Sequence, residues 1–425
     1  MLDLKYIREN VDRVRKALAD RGEIFDLDRL LELDKERRSL ISELDQLRHQ
    51  RKKTARELGR RKAAGEDISS AREAARRIGE RIAVYEDRLR EVEAGLDRLL
   101  MQLPNLPHPT VPVGSDASAN RVVRKWGDQK RFPFEPRPHW EIGEKLGILD
   151  FGRAARISGS GFALFSGVGA LLERSLINFM LDVHTREHGY REIWPPVLCN
   201  PDTATGTGQL PKMADDMYLI EKDALYLAPT AEVPVTNIYR EEIISEPLPL
   251  YLVAYTPCFR REAGAAGRET RGLIRVHQFD KVELVKFVEP AESYAELEHL
   301  VRDAEDILQR LGLTYRVVEL CTGDLSFAAA KCYDIELWAP AYGDWLEVSS
   351  CSNFEDFQAR RAGIRYRDRS GSVAYVHTLN GSGVALARLV AALLENYQQA
   401  DGSVEIPQVL RPYMHGLERI EPPVS

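Results

Sequence analysis

Residues 258–285 read CFRREAGAAGRETRGLIRVHQFDKVELV, and the two ends of this run decide the fold. Phe259-Arg260-Arg261-Glu262 stops at a segment carrying Gly264, Gly267 and Gly272, and from Ile274 onward the side chains alternate as on a strand. Two extended segments joined by a long glycine-bearing loop predict an antiparallel hairpin. One face of the second segment collects Arg275, His277, Phe279, Lys281 and Glu283; the other collects Ile274, Val276, Val282 and Leu284, interrupted by Gln278 and Asp280. Arg260 and Glu262 share a face of the first segment, because strand side chains repeat every two residues. A charged face anchored by an aromatic ring predicts a binding surface, although a solvated hairpin with salt-bridged charges gives the same pattern.

Upstream of the hairpin the pattern is helical. Leu33, Leu40, Leu44, Leu47 and Leu58 fall on one 4,3 ladder, interrupted by Arg37, Arg51 and Thr54. A second ladder runs Ile78, Ile82, Tyr85, Leu89, Val92, Leu96, Leu99, Leu103, and Ala63-Ala64-Gly65-Glu66-Asp67 breaks the pattern between them. Two helices folding back as an antiparallel coiled coil, over about residues 28–103, are expected. At 1.5 Å per residue each would be roughly 40–50 Å long, so the hairpin should project from the body. Leu4 to Leu18 reads as one short amphipathic helix preceding it. Pro104, Pro107, Pro109, Pro112, Pro133, Pro136 and Pro138 mark a linker at 104–138, after which 139–425 alternates strands and helices irregularly. That irregularity predicts an α+β domain on an antiparallel sheet rather than a doubly wound one. No Walker A run and no strand–GxGxxG–helix unit occurs, so any nucleotide must be held by side chains on a sheet.

Charge and cysteine usage narrow the class. The chain of 425 residues has 44% hydrophobic and 29% charged residues, an ordinary globular composition. It lacks a window of about 18 uncharged apolar residues, and Met1-Leu2-Asp3-Leu4-Lys5 lacks a secretory pattern, so a cytoplasmic protein without a membrane partner is expected. The net charge is −7, yet from Arg48 to Lys62 eight basic residues (Arg48, Arg51, Lys52, Lys53, Arg56, Arg60, Arg61, Lys62) face one acid, Glu57. Basic residues replacing leucines toward the tip favour contact with a phosphate backbone, with a spacer or oligomerisation coil as the alternative. Five cysteines (Cys199, Cys258, Cys321, Cys332, Cys351) are scattered without a C-x-x-C pair, which argues for buried thiols and against disulfides or structural zinc. Arg388, inside the apolar run Val384 to Leu394, is expected to be buried and to need a partner.

Phe259-Arg260-x-Glu262, the glycine-containing loop, Arg275 and His277-Gln278-Phe279 together resemble motif 2 of the class II aminoacyl-tRNA synthetases, specifically the seryl enzymes. Leu171 to Gly189 followed by Tyr190-Arg191-Glu192-Ile193-Trp194-Pro195-Pro196 is similar to motif 1, and Asn380-Gly381-Ser382-Gly383-Val384-Ala385-Leu386-Ala387-Arg388 to motif 3. Thr230-Ala231-Glu232 and Glu347-Val348-Ser349-Ser350 stand between them, so the resemblance spans essentially the whole chain.

The resemblance implies ligation of L-serine to the 3′ end of tRNA(Ser) through a seryl-adenylate made with ATP, and leaves tRNA(Sec) open as a second acceptor. It implies a catalytic body of antiparallel sheet flanked by helices and a tRNA-binding domain at 1–103. The catalytic cations would be Arg260, Arg275 and Arg388. Arg260 would bridge carboxylate and α-phosphate, Arg275 would hold the outer phosphates, and Arg388 would reach adenine and the γ-phosphate. ATP would further meet Arg261, Glu262, Val276, Phe279, Glu347, Val348, Ser349 and Ser350, with Glu347 and Ser350 coordinating magnesium. Serine would be held by Thr230, Ala231, Glu232, Arg260, Glu283 and Ser382. Transfer RNA would engage the arm and the motif 2 loop, and motif 1 implies a homodimer. Arg261 replaces the small residue more usual there, so its side-chain role stays open. A biosynthetic or resistant paralogue, a serine:carrier ligase and a non-catalytic RNA-binding protein are the competing readings. The basic arm speaks against the carrier version, and chemically competent residues at every ATP and serine position speak against the last.

Overall fold

The computed structural model describes residues 1–263 and 271–423. Gly264 and Gly267, read above as part of the hairpin loop, lie outside the described residues. The chain divides into two compact units, Met1–Ala19 with Glu23–Leu103, and Asp20–Gly22 with Pro104–Ser425.

The first unit is helical. Two short helices, Leu4–Glu9 and Val11–Arg21, stand where the sequence predicts one. Asn10 ends the first, its backbone N–H donating to the Ile7 carbonyl and its Nδ2 to that of Tyr6. Helix α1 (Leu27–Ala63) and helix α2 (Ser69–Leu100) form the antiparallel pair. Asp26 caps α1 by accepting from the Arg29 N–H at 2.9 Å. Gly65, at φ +72°, lies in the turn between them. With 37 residues α1 is about 55 Å long, more than expected because it runs unbroken to Ala63. Leu33, Leu40, Leu44 and Leu47 of α1, and Ile78, Ile82, Val92 and Leu96 of α2, are buried. Arg37 interrupts the ladder because its Nε meets Glu93 Oε1 across the pair at 3.1 Å. At the base Leu100 rather than Leu99 is buried, a drift expected when a 3.6-residue helix carries a 3.5-residue repeat.

The second unit is built on an eight-stranded sheet. Its strands are β1 (Arg121–Trp126), β2 (Arg191–Glu192), β3 (Leu250–Phe259), β4 (Gln278–Val288), β5 (Tyr315–Glu319), β6 (Lys331–Ala339), β7 (Asp344–Asn353) and β8 (His377–Ala385). The order is β1-β5-β6-β7-β8-β4-β3-β2, antiparallel throughout except for the β2/β3 pair. Helices α3 (Val168–Arg186), α4 (Ser293–Arg310) and α5 (Leu386–Tyr397) belong to the main core with the sheet. The parity of β4 shows how the sheet is used. Val282, Leu284 and Val288 join the core shared with these helices, whereas Val285 and Phe287 enter a second core with Leu252 and Ala254. Complete burial of each such side chain contributes about 1.5–3 kcal/mol.

Two sequence expectations require correction. The proline-rich stretch 104–138 is not only a linker, because β1 lies within it and pairs with β5. The strand was illegible because nearly every residue from Arg121 to Trp126 is exposed, leaving no alternation to read. The hairpin is also shorter than its pattern: β4 begins at Gln278, not Ile274, and the ladder ends at Phe259 opposite Gln278. One further bond, Arg260 N–H to the His277 carbonyl at 2.9 Å, closes it. Leu273 is drawn elsewhere, its N–H donating to His139 Nε2 at 3.0 Å. Gly272 permits that approach: at φ +69°, a Cβ there would lie 2.3 Å from His139 Nε2. Nδ1 of the same buried imidazole meets Glu395 Oε1 of α5 at 2.9 Å, tying the motif 2 segment to the motif 3 helix.

Candidate active site

A cleft of about 440 Å³ opens where β4, β7 and β8 meet the start of α5. Of the sequence candidates, Thr230, Glu232, Arg260, Glu262, Arg275, Val276, Phe279, Glu347, Val348, Ser350, Ser382 and Arg388 line it. Ala231, Arg261, Glu283 and Ser349 do not. Ala231 is fully buried. Arg261 is exposed, its backbone N–H donating to the Asp216 carbonyl at 2.8 Å. Ser349 Oγ donates to the Ser382 carbonyl at 2.6 Å and so supports the wall from behind.

Three arginines line the cleft, Arg260, Arg275 and Arg388. The Arg260 guanidinium lies 5.2 Å from the centre of the Phe279 ring, and its Nε donates to the Pro229 carbonyl at 3.3 Å. Arg275 Nη1 and Glu262 Oε2 are paired at 2.8 Å. Glu262 reaches the cleft through a left-handed backbone turn, φ +51°, rather than through the strand parity expected from sequence. Arg388 is not enclosed in an apolar helix as the pattern suggested, because it falls in the first turn of α5, at the cleft. Its Nε donates to the Ile274 carbonyl at 3.1 Å and its Nη1 to the Glu347 carbonyl at 2.8 Å. No side chain caps α5, and an uncapped N-terminus favours an anion.

Two buried carboxylates follow, Glu232 in the cleft wall and Glu283 behind it. Glu283, fully buried, contacts Lys281 Nζ, accepts from Thr230 Oγ1 at 3.2 Å and accepts from Asn380 Nδ2 at 2.9 Å. A carboxylate has about four lone-pair sites, so one remains after these three partners. Glu232 accepts from Gln358 Nε2 at 2.6 Å and from Asn380 Nδ2 at 3.1 Å. Burial first, then the nearby Glu283 charge, pushes the Glu232 carboxyl up to about 7, against the opposing effects of Gln358, Lys281 and Arg260.

Lys281, Asn380 and Gln358 complete this network and were not assigned a role from sequence. Lys281 and Asn380 were legible as members of the charged face and of the motif 3 run; Gln358, on the short helix Phe357–Ala362, carried no signal. Gln209, Met213, Asp216 and Ser326 to Ala328 also line the cleft from loops without periodicity.

Glu347 is exposed and Ser350 lies nearby on β7, both facing the cleft. Among the described residues no group of three or more His, Cys, Asp or Glu is placed to hold a metal ion by itself. One carboxylate and one hydroxyl suit a magnesium ion that takes its remaining ligands from phosphates and water. Among the described residues, also, no helix is long and apolar enough to cross a membrane.

This antiparallel sheet, with its cleft between the motif 2 hairpin and the motif 3 helix, defines a class II aminoacyl-tRNA synthetase core. The family model for the tRNA synthetase class II core domain (G, H, P, S and T) matches residues 218–397, and that for the seryl-tRNA synthetase N-terminal domain matches residues 1–107. A serine–tRNA ligase of Carboxydothermus hydrogenoformans is 56% identical, covering 99% of each chain. One of Geobacillus kaustophilus is 55% identical over 97% of this chain and 98% of its own. The crystal structure of seryl-tRNA synthetase from Pyrococcus horikoshii complexed with ATP superposes with a TM-score of 0.95 at 40% identity, covering both chains completely. The chain belongs to the seryl-tRNA synthetase family.

Proposed function

We propose that this chain activates L-serine with ATP and transfers the seryl group to tRNA. The observation that carries the reading is one cleft lined by three arginines, Arg260, Arg275 and Arg388, and by the buried carboxylate of Glu232, which shares Asn380 with Glu283 behind the wall. An amino acid condensing with a nucleotide presents that pattern: an ammonium group, and a carboxylate that must approach an anionic phosphate. The serine carboxylate attacks the α-phosphorus, pyrophosphate leaves, and a terminal hydroxyl of tRNA then displaces AMP from the acyl carbon. Both steps depend chiefly on positioning and neutralised charge.

Arg260 bridges carboxylate and α-phosphate, releasing its contact with Phe279 to the adenine ring. Arg275 exchanges Glu262 for the outer phosphates, which leaves Glu262 free to accept from the adenine amino group, and the Val276 backbone meets the same ring. Arg388, in the first turn of α5, contacts the γ-phosphate. Glu347 and Ser350 would hold a magnesium ion, which would neutralise phosphate charge. Glu232 takes the ammonium, and the remaining lone pair of Glu283 takes the serine hydroxyl, with Thr230 and Ser382 closing the pocket.

The arm supplies the tRNA contact. Arg51, Lys52, Lys53, Arg56, Arg60 and Lys62 are exposed; Arg48, also exposed, and the half-buried Arg61 are paired with Glu86 and Glu57 at 2.9 Å and 2.6 Å. The first six are therefore the principal phosphate contacts. A homodimer through the motif 1 helix and strand, and a cytoplasmic setting, complete the reading. ATP–pyrophosphate exchange with a panel of amino acids, followed by aminoacylation of tRNA(Ser) and tRNA(Sec), tests it. Serine-dependent exchange without charging would instead favour a carrier or biosynthetic ligase.

A further inference from the structure

Glu347 and Ser350 stand three residues apart on β7, a spacing that on a regular strand sends side chains to opposite faces. Both nevertheless line the cleft. The pairing with β6 shows why: Ile335 lies opposite Ser349 and Glu336 opposite Glu347, so Val348 is an extra residue, a bulge that returns Glu347 and Ser350 to one face. Beyond the bulge Asp334 stands directly opposite Ser350, and Cys332 opposite Ser352.

The two acids of β6 are held differently. Glu336 is paired with the Arg316 guanidinium. Asp334 receives neutral donors, accepting from the Ser350 hydroxyl and, at 3.6 Å, from Cys332 Sγ. Cys332 Sγ also lies 3.1 Å from Ser350 Oγ, so the single Ser350 proton has two acceptors within reach. Sulfur is the weaker of them, and burial holds the Cys332 thiol well above its ordinary range, so that thiol keeps its own proton to donate. The Ser350 proton therefore belongs on Asp334, which decides where the hydroxyl lone pairs point. Burial, then the Glu347 charge, pushes the Asp334 carboxyl up, but charged or neutral it retains an oxygen that can accept.

We propose that Asp334 is a positioning residue for the cation site: by holding the Ser350 proton against β6 it turns the Ser350 lone pairs to the cleft, where a magnesium ion on Glu347 would take one. The inference rests on the reading of Glu347 and Ser350 as metal ligands. Partners that orient a ligand in this way change metal affinity by roughly 10–100-fold. The probe is Mn2+ with ATP and no serine, titrated into the full-length protein and followed by electron paramagnetic resonance. Asp334→Leu should weaken Mn2+ binding to the protein–ATP complex about tenfold or more, with the circular dichroism spectrum and metal-free ATP binding unchanged; Asp334→Ala gives the same reading if Leu perturbs folding. Asp334→Asn, whose amide oxygen still accepts, should stay within about threefold of the parent. In a Ser350→Ala background Asp334→Leu should have no further effect. Three results would each overturn the inference while leaving Ser350 a ligand: Leu and Ala variants that bind Mn2+ as the parent does, an Asn variant as weak as Leu, which would make Asp334 a charge and not an acceptor, or an equal loss in the Ser350→Ala background. Ser350→Ala binding Mn2+ as tightly as the parent would remove Ser350 from the metal site, and the inference with it.

Discussion

The proposed role of Glu232 makes serine recognition titrate in a range where ordinary carboxylates do not. With the carboxyl at about 7 in the empty protein, roughly one-tenth of it is ionised at pH 6 and nine-tenths at pH 8. An ammonium ligand needs the ionised form, so the KM for serine should fall about tenfold between those pH values while kcat changes little. The groups facing this carboxyl are Glu283, which raises it, and Gln358, Lys281 and Arg260, which lower it. Lys281→Met should therefore shift the KM profile to higher pH, and Glu232→Gln should flatten it. Stability carries the same sign: the folded pKa lies above the ordinary glutamate value of 4.5, so the folded state binds the proton more tightly. The favourable contribution is present below about pH 4.5 and is lost as pH rises toward 7, by on the order of 3 kcal/mol, and saturating serine should oppose the loss. Pyrophosphate-exchange kinetics from about pH 6 to 8 and thermal unfolding from about pH 4.5 to 8 read the two effects. A flat serine KM in the parent refutes the assignment of Glu232 to the ammonium.

Arg260→Ala should reduce adenylate formation by on the order of 2–4 kcal/mol in activation with the fold intact; near-normal serine-dependent exchange would remove Arg260 from the chemistry. Glu283→Gln keeps size but loses the charge clamped by Lys281, so it should weaken serine activation far more than alanine activation, and an unchanged serine/alanine ratio would show that Glu283 does not read the hydroxyl. Replacing residues 48–67 by a short Gly/Ser turn should spare activation and abolish efficient charging, and the intact protein's tRNA affinity should fall steeply with salt; undiminished charging would reduce the arm to a spacer. Lys286, fully buried with Nζ 2.9 Å from Glu296 Oε2 and 4.1 Å from the Tyr251 ring centre, holds an acidic cluster on the helix side of the sheet. Lys286→Met should cost about 3–5 kcal/mol of stability by leaving that charge unpaired, and a variant melting within a degree of the parent would contradict this.

The legible parts of the molecule were those in which one period serves one surface. The leucine ladders gave the helical pair, and the charged face Phe279, Lys281, Glu283 gave the cleft side of β4, because a strand between two different environments must alternate. Where a backbone leaves its period, legibility ends. Ile274 to His277 continue the alternation on paper, yet His139 holds Leu273 out of the ladder, and nothing in a linear pattern announces a contact between residues 139 and 273. Arg388 misled for a related reason: an apolar run says that a helix is buried along its length but not that its first turn opens on a cleft. Gln358 was invisible because its value lies in a partner, Glu232, that is distant in sequence.

The parity of β4 also explains how so many charges can be kept near a hydrophobic core. Along one face the residues run Phe279, Lys281, Glu283, Val285, Phe287, passing from aromatic wall through an ion pair into solid core within ten residues. Lys281 and Glu283 are i and i+2 on that face, so each is the other's partner before any ligand arrives, and Thr230 and Asn380 are brought to the same carboxylate from separate segments. Glu232, by contrast, receives only neutral donors, Gln358 and Asn380. The two carboxylates are thus unequal by construction: one has its cation built in, and the other is left in want of one. That asymmetry is the ground for the proposal that the ammonium of an incoming amino acid goes to Glu232 and the serine hydroxyl to the open lone pair of Glu283. A shift of register by one residue in β4 would exchange this face for Asp280, Val282, Leu284, Lys286 and Val288, losing pocket and core together.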